Sequence, residues 1–218
     1  MNEQALRQLA AQLRLPEGEA GIAVANRMNV NNELMNRWAI DQLAVQPGDQ
    51  VLEVGPGNGR FVPDLLGSDP SVRYVGYDHS ALMVSEAVAH NRALVDTGRV
   101  QFIWRSGPVM PFPNHSFTKA LAVNVIYFWE DPAAELAELH RVLAPGGRLL
   151  LVIRPRSVMV RLPFVQHGFQ LFEPADVADL LAANRFRVTE TRVLAEPAQH
   201  VGGEAVSLST ALISSEPV

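Results

Sequence analysis

Cysteine is absent from the 218 residues. That excludes a disulfide framework, a thiolate metal site and a cysteine nucleophile. No apolar run approaches the roughly 18 residues of a membrane-spanning helix, so none is expected. Glu3, Arg7 and Arg14 interrupt the apolar positions of residues 1–14, where a signal peptide would need a continuous apolar stretch. A cytoplasmic location is the expectation. Basic excess is missing too: the formal net charge is −5 and the pI is near 5.7. Broad nucleic-acid binding relies on neutralising phosphates, and this balance argues against it. Internal repeats and low-complexity tracts are also lacking. What remains is 48% hydrophobic and 19% charged residues, enough to bury a core and unlike a disordered or fibrous chain. The length fits one domain with a terminal extension.

Apolar runs of strand length alternate with helix-like segments. Helices are expected over residues 2–13, 32–43, 59–66, 80–95, 132–143 and 174–183. Ser80 is a natural N-cap, and Pro145-Gly146-Gly147 is a helix stop. Strands are expected over 51–54, 72–77, 100–104, 120–125, 149–153, 186–193 and 206–213. VLEV, ALAVNVI and LLLVI are continuous apolar runs, as suits strands covered on both faces. Alternation of this kind implies an α/β fold, a parallel sheet with helices on both sides. The last two strands are separated only by a loop over 197–203, too short for a parallel crossover, so they should form an antiparallel pair at one edge. Ligands of such a sheet bind outside the carboxyl ends of its strands.

The chemistry begins at Val51-Leu52-Glu53-Val54-Gly55-Pro56-Gly57-Asn58-Gly59, a strand running into a glycine-rich turn. Glycines there allow close approach of a ligand to the backbone. The spacing is G-x-G-x-G, not the G-x-G-x-x-G of dinucleotide binders, because Arg60 follows Gly59. A nicotinamide oxidoreductase is therefore disfavoured. Asp78 ends the next strand, where a carboxylate can accept two hydrogen bonds from a ribose diol. A plain helix-capping role is the alternative.

VLEVGPGNG, VGYDHSALM, MPFPNHSF, FWEDP and LHRVLAPGGRLLLV, in that order, resemble the successive motifs of class I S-adenosylmethionine-dependent methyltransferases, more narrowly the small type 11 group. The resemblance covers residues 26–186. It implies a Rossmann-like seven-stranded, mostly parallel sheet with the last strand antiparallel, a helical lid over residues 1–46 and a methyltransferase domain over 47–218. It further implies that Glu53 orients the methionine end of the cofactor. Gly55, Pro56, Gly57 and Gly59 would form the loop beneath it, Asp78 would hold the ribose, and His79 and Met83 would flank the adenine. Ser106 and Gly107 stand where the family often has Asp and a small residue near the adenine amine, so Ser106 is a departure. Asn124 matches the end of the fourth strand, facing the methionine part. The product would be S-adenosylhomocysteine.

Methyl transfer from a sulfonium needs the acceptor held in line and water excluded. A general base is needed only for a protonated acceptor. Substrate-side candidates are Met28, Asn29 and Asn32 in an Asn- and Met-rich segment, where capping by Asn31 or Asn32 is an equal alternative. Tyr127 and Trp129 could pack on the acceptor or on positive charge, or simply cover the core. Arg154, ahead of Arg156 and Arg161, could meet an acidic or polar acceptor group, with His167 or Tyr127 as base; exposed arginines and a loop histidine are the alternative. No His or acidic cluster has metal-ligand spacing, and no metal is expected. The expected function is methylation of a small-molecule acceptor by a monomer or homodimer. RNA or protein methylation, and a non-catalytic cofactor-binding subunit, are the alternatives.

Overall fold

The structure is a computed structural model that describes residues 2–105, 109–201 and 204–218, the side chains of 199–201 and 204–206 excepted. Three helices come first, α1 (Glu3–Arg14), α2 (Gly18–Asn31) and α3 (Glu33–Leu43). Then follow β1 (Gln50–Val54), α4 (Val62–Leu66), β2 (Arg73–Asp78), α5 (Ala81–His90), α6 (Arg92–Asp96), β3 (Val100–Trp104) and β4 (Phe117–Val123). A short 3-10 turn, Ile126–Phe128, leads to α7 (Pro132–Val142) and β5 (Leu143–Ile153). The chain ends with α8 (Arg156–Met159), α9 (Pro174–Ala183), β6 (Phe186–Val201) and β7 (Glu204–Pro217).

Seven strands form one sheet in the order β3-β2-β1-β4-β5-β7-β6. β1 to β5 pair in parallel, and β7 runs antiparallel to both β5 and β6. The Rossmann-like topology expected from the sequence is what forms. Alternation along β5 explains its unbroken apolar run: Leu149, Leu151 and Ile153 enter one core with α7 and α9. Leu150 and Val152 enter the other, with Met35, Ala39 and Leu43 of α3. Burying one such side chain contributes about 1.5–3 kcal/mol.

Several boundaries differ from expectation for local reasons. The helix expected over 80–95 is divided at Asn91, whose side-chain amide donates to the carbonyls of Gly59 and Ala87, both at 3.0 Å. This ties α5 to the glycine turn. The helix expected from Gly59 starts only at Val62, because Gly59 has φ +68°. The loop expected over 197–203 is shorter, since β6 pairs with β7 as far as Val201↔Glu204. α2 was not expected. Its only buried residue is Gly21, where a Cβ would lie 2.8 Å from the Pro16 carbonyl carbon.

Candidate active site

The sheet reverses its strand order between β1 and β4, the place where ligands of open α/β sheets bind. A cavity of about 860 Å³ opens there, in the upper part of the ~300–1,000 Å³ range of small-molecule sites. Its floor is the glycine turn. Gly55 has φ +70°, and a Cβ on it would fall 2.3 Å from Val125 Cγ1. Gly57 has φ +58° and open space where its Cβ would be, so a ligand can lie directly on the backbone.

Asp78, only 5% exposed, ends β2 beside this turn. Its Oδ2 accepts from the Gly57 amide at 3.1 Å and its Oδ1 from the Ser80 amide at 2.8 Å. Burial pushes its pKa up, and these amides and the neighbouring His79 pull it down. Each oxygen keeps a lone pair for a ligand hydroxyl. Glu53 lies on the cavity wall with the Tyr74 hydroxyl donating to its Oε2 at 2.6 Å. Burial first, then the Asp78 charge, raise the Glu53 carboxyl from 4.5 to about 7 against that hydrogen bond.

Sequence-predicted residues converge here. Glu53, Gly55, Pro56, Gly57, Gly59, Asp78, His79, Met83 and Asn124 all line the one cavity. So do Met28, Asn29, Asn32, Tyr127, Trp129 and Arg154. Ser106 and Gly107 lie outside the described residues. Asn124 adopts φ +57°, an unusual backbone that Asn tolerates. It bonds Tyr127 Oη at 3.1 Å.

Three candidates have surroundings that the sequence did not convey. The Tyr127 hydroxyl accepts the Arg154 amide proton, and the Arg154 carbonyl lies 3.1 Å from it. Burial holds its pKa well above the ordinary value, and its hydrogen bonds tie it to Asn124 and to the Arg154 backbone. Arg154 is neither exposed nor free: it is 5% exposed. Its guanidinium forks onto Glu196 at 2.8 and 3.1 Å and donates to Asn32 Oδ1 at 3.2 Å. Thr210 donates to the same Glu196. His167 is not among the lining residues, and its buried Nε2 has no hydrogen-bond partner among the described residues.

Residues of α1 and α2 line the cavity and are tied to the glycine turn and to the end of β2. Asn29 donates to Asn58 Oδ1 at 3.0 Å, and Asn58 in turn to Asn26 Oδ1 at 3.1 Å. Ser80 Oγ donates to the Pro16 carbonyl at 2.9 Å, and His79 Nε2 lies 2.6 Å from the Arg14 carbonyl oxygen. Away from the glycine turn the wall is apolar, with Phe128, Met159, Leu162, Phe164 and Phe169. Phe169 packs edge-on against Phe128 with ring centroids 4.8 Å apart. Among the described residues, no three His, Asp or Glu side chains cluster to hold a metal. No helix among them is long and apolar enough to cross a membrane.

Comparison with known proteins agrees with this geometry. Residues 52–151 match the family model of the methyltransferase domain. The methyltransferase YdaC of Bacillus subtilis is 31% identical over 130 residues, 60% of this chain and 70% of YdaC. The ubiquinone/menaquinone biosynthesis C-methyltransferase UbiE of a Marinomonas species is 29% identical over 162 residues, 68% of this chain but 64% of UbiE. A chain from the complex that pairs the Haloferax volcanii Trm112 methyltransferase activator with a methyltransferase shares the fold. Its TM-score is 0.79 at 21% identity, over 91% of this chain and 95% of that one. Geranyl diphosphate methyltransferase, solved with GPP and sinefungin, gives a TM-score of 0.68 at 16% identity over 85% of this chain and 78% of that one. With the glycine turn, Asp78 and Glu53 around one cavity, these matches show that the chain belongs to the class I S-adenosylmethionine-dependent methyltransferases.

Proposed function

We propose that this chain transfers the methyl group of S-adenosylmethionine to a small, largely apolar acceptor and releases S-adenosylhomocysteine. The observation that carries the reading is the Asp78 carboxylate. It is fixed by the Gly57 and Ser80 amides at the edge of a cavity whose far wall is aromatic and aliphatic. In this reading Asp78 accepts from the ribose hydroxyls and the Gly55–Gly57 backbone underlies the chain of the cofactor. Glu53 faces its cationic methionine end, and His79 and Met83 flank the adenine. The cofactor supplies an electrophilic methyl with a good leaving group. Residues 1–46 act as lid and substrate-side extension, and 47–218 as the methyltransferase domain.

The protein contributes position and dryness. The aromatic wall excludes water from the approach to the methyl, and a cavity lined in part by α1 and α2 suits a small molecule better than a nucleic-acid strand or a protein segment. Tyr127 keeps its proton, so the acceptor nucleophile is one that needs no base from this residue. Two similar proteins point the same way: UbiE is named for C-methylation in ubiquinone and menaquinone biosynthesis, and a fold neighbour for geranyl diphosphate.

Titration calorimetry with S-adenosylhomocysteine, on wild type and Asp78→Ala, tests the reading. The variant should lose about 1.5–3 kcal/mol of binding, the range for hydrogen bonds to a charged group. Folded wild type that takes up neither S-adenosylhomocysteine nor S-adenosylmethionine would overturn it.

A further inference from the structure

Four arginines line the cavity: Arg14, Arg27, Arg105 and Arg154. Three have carboxylate partners. Arg14 pairs with Glu130 at 2.9 Å, Arg154 with Glu196 at 2.8 Å, and Arg105 with Glu135. Of the lining acids, Asp78 is held by backbone amides and Glu53 by Tyr74. Arg27 stands apart. It is exposed at the mouth of the cavity and has no hydrogen bond or ion pair among the described residues. In a chain of net charge −5, a cation left unmatched at a binding cavity is a local exception to the overall balance.

Its place on α2 says which part of a ligand it can meet. Asn26 and Asn29 turn toward Asn58 in the glycine turn. At about 100° per residue, Arg27 points roughly 130° away from the mean direction of those two. It therefore sits away from the side of α2 that faces the glycine turn, next to Val24, in a cavity whose lining also includes Phe164 and Phe169.

We propose that Arg27 recognises a carboxylate on an otherwise apolar methyl acceptor. It holds that end at the cavity mouth while the reacting end reaches inward. One unmatched guanidinium suits a monoanion and forms a planar, two-pronged hydrogen bond with a carboxylate. The proposal deepens the methyltransferase reading above and rests on it.

The test uses the full chain with decanoate and decanol as probes, a matched pair differing in the charged end. Binding is measured by calorimetry with and without saturating S-adenosylhomocysteine. Wild type should prefer decanoate by about tenfold, the scale of a charge-assisted hydrogen bond partly open to water. The preference should shrink as salt is raised. Arg27→Gln should abolish it, Arg27→Lys should keep part of it, and S-adenosylhomocysteine should bind all three proteins equally. Arg27 lies outside both cores, and circular dichroism checks that the variants fold. Equal binding of the two probes to wild type, or binding of neither, overturns the proposal. So does an unchanged preference in Arg27→Gln with weakened S-adenosylhomocysteine binding, which would assign Arg27 to the carboxylate of the cofactor. Failure of wild type to bind S-adenosylhomocysteine sinks the methyltransferase reading instead, and the probe comparison made without it still reads the Arg27 effect.

Discussion

Replacing Glu53 with Gln removes a proton-binding site that the folded chain has created for itself. Burial and the Asp78 charge lift this carboxyl from 4.5 to about 7. Between those two values the folded protein holds a proton that the unfolded chain has released. The stability contributed by that proton is full below about 4.5 and is lost as pH rises through about 7. The interval is about two and a half units, and each unit is worth about 1.4 kcal/mol. Ionised Glu53 therefore costs the ligand-free protein on the order of 3 kcal/mol at alkaline pH. Glu53→Gln keeps an oxygen for the Tyr74 hydroxyl but carries no charge. Urea unfolding of both proteins near pH 5 and near pH 8 isolates the effect, because other titrating groups cancel in the difference. On passing from the lower to the higher pH the variant should gain about 2–3 kcal/mol over wild type, roughly 1 M in urea midpoint at an ordinary m-value. A difference that is the same at both pH values would refute the reasoning. A cationic ligand beside Glu53 favours its ionised form, so S-adenosylmethionine affinity of wild type should rise with pH up to about 7 and level off. In the variant it should stay flat.

Glu196→Ala strands the buried Arg154 guanidinium and should cost about 3–5 kcal/mol in chemical unfolding, with much of the loss recovered when Arg154→Met is added. Tyr127→Phe leaves the Arg154 amide without its acceptor and should lower stability by about 1–3 kcal/mol. Once a methyl acceptor is found, the pH profile of turnover in Tyr127→Phe should match wild type, since a phenol held protonated is no base.

Much of the glycine-turn side of the cavity was legible because its geometry is local. Positive φ at Gly55 and Gly57 calls for glycine, and the Asp78 carboxylate that accepts from the Gly57 amide stands at the end of the next strand. Continuous apolar runs told which strands are covered on both faces. The acceptor side was harder. Arg154 is 42 residues from Glu196, and no pattern around either residue announces the other. Their pairing arises only when β6 and β7 fold back beside β5. Composition favours exposed arginines, and only tertiary packing overrides that tendency. α2 escaped notice for a related reason: its sequence holds Gly18 and Gly21 and buries little of its surface, so no apolar stripe marks it. His167 lies in a segment that does contribute to the cavity through Phe164 and Phe169, but proximity in sequence did not carry its imidazole there.

The hydrogen bonds from residues 14–29 to Asn58, His79 and Ser80 bear on timing as well as shape. Four such bonds tie this segment to the cavity floor. At about 0.5–1.5 kcal/mol each, they hold the segment down by roughly 2–6 kcal/mol. In the proposed reading, where residues 1–46 act as a lid, release of the spent cofactor would include an opening step that the chemistry of the methyl group does not control. Weakening the Asn26–Asn58–Asn29 chain would then shorten the residence of the product while leaving the geometry of transfer intact.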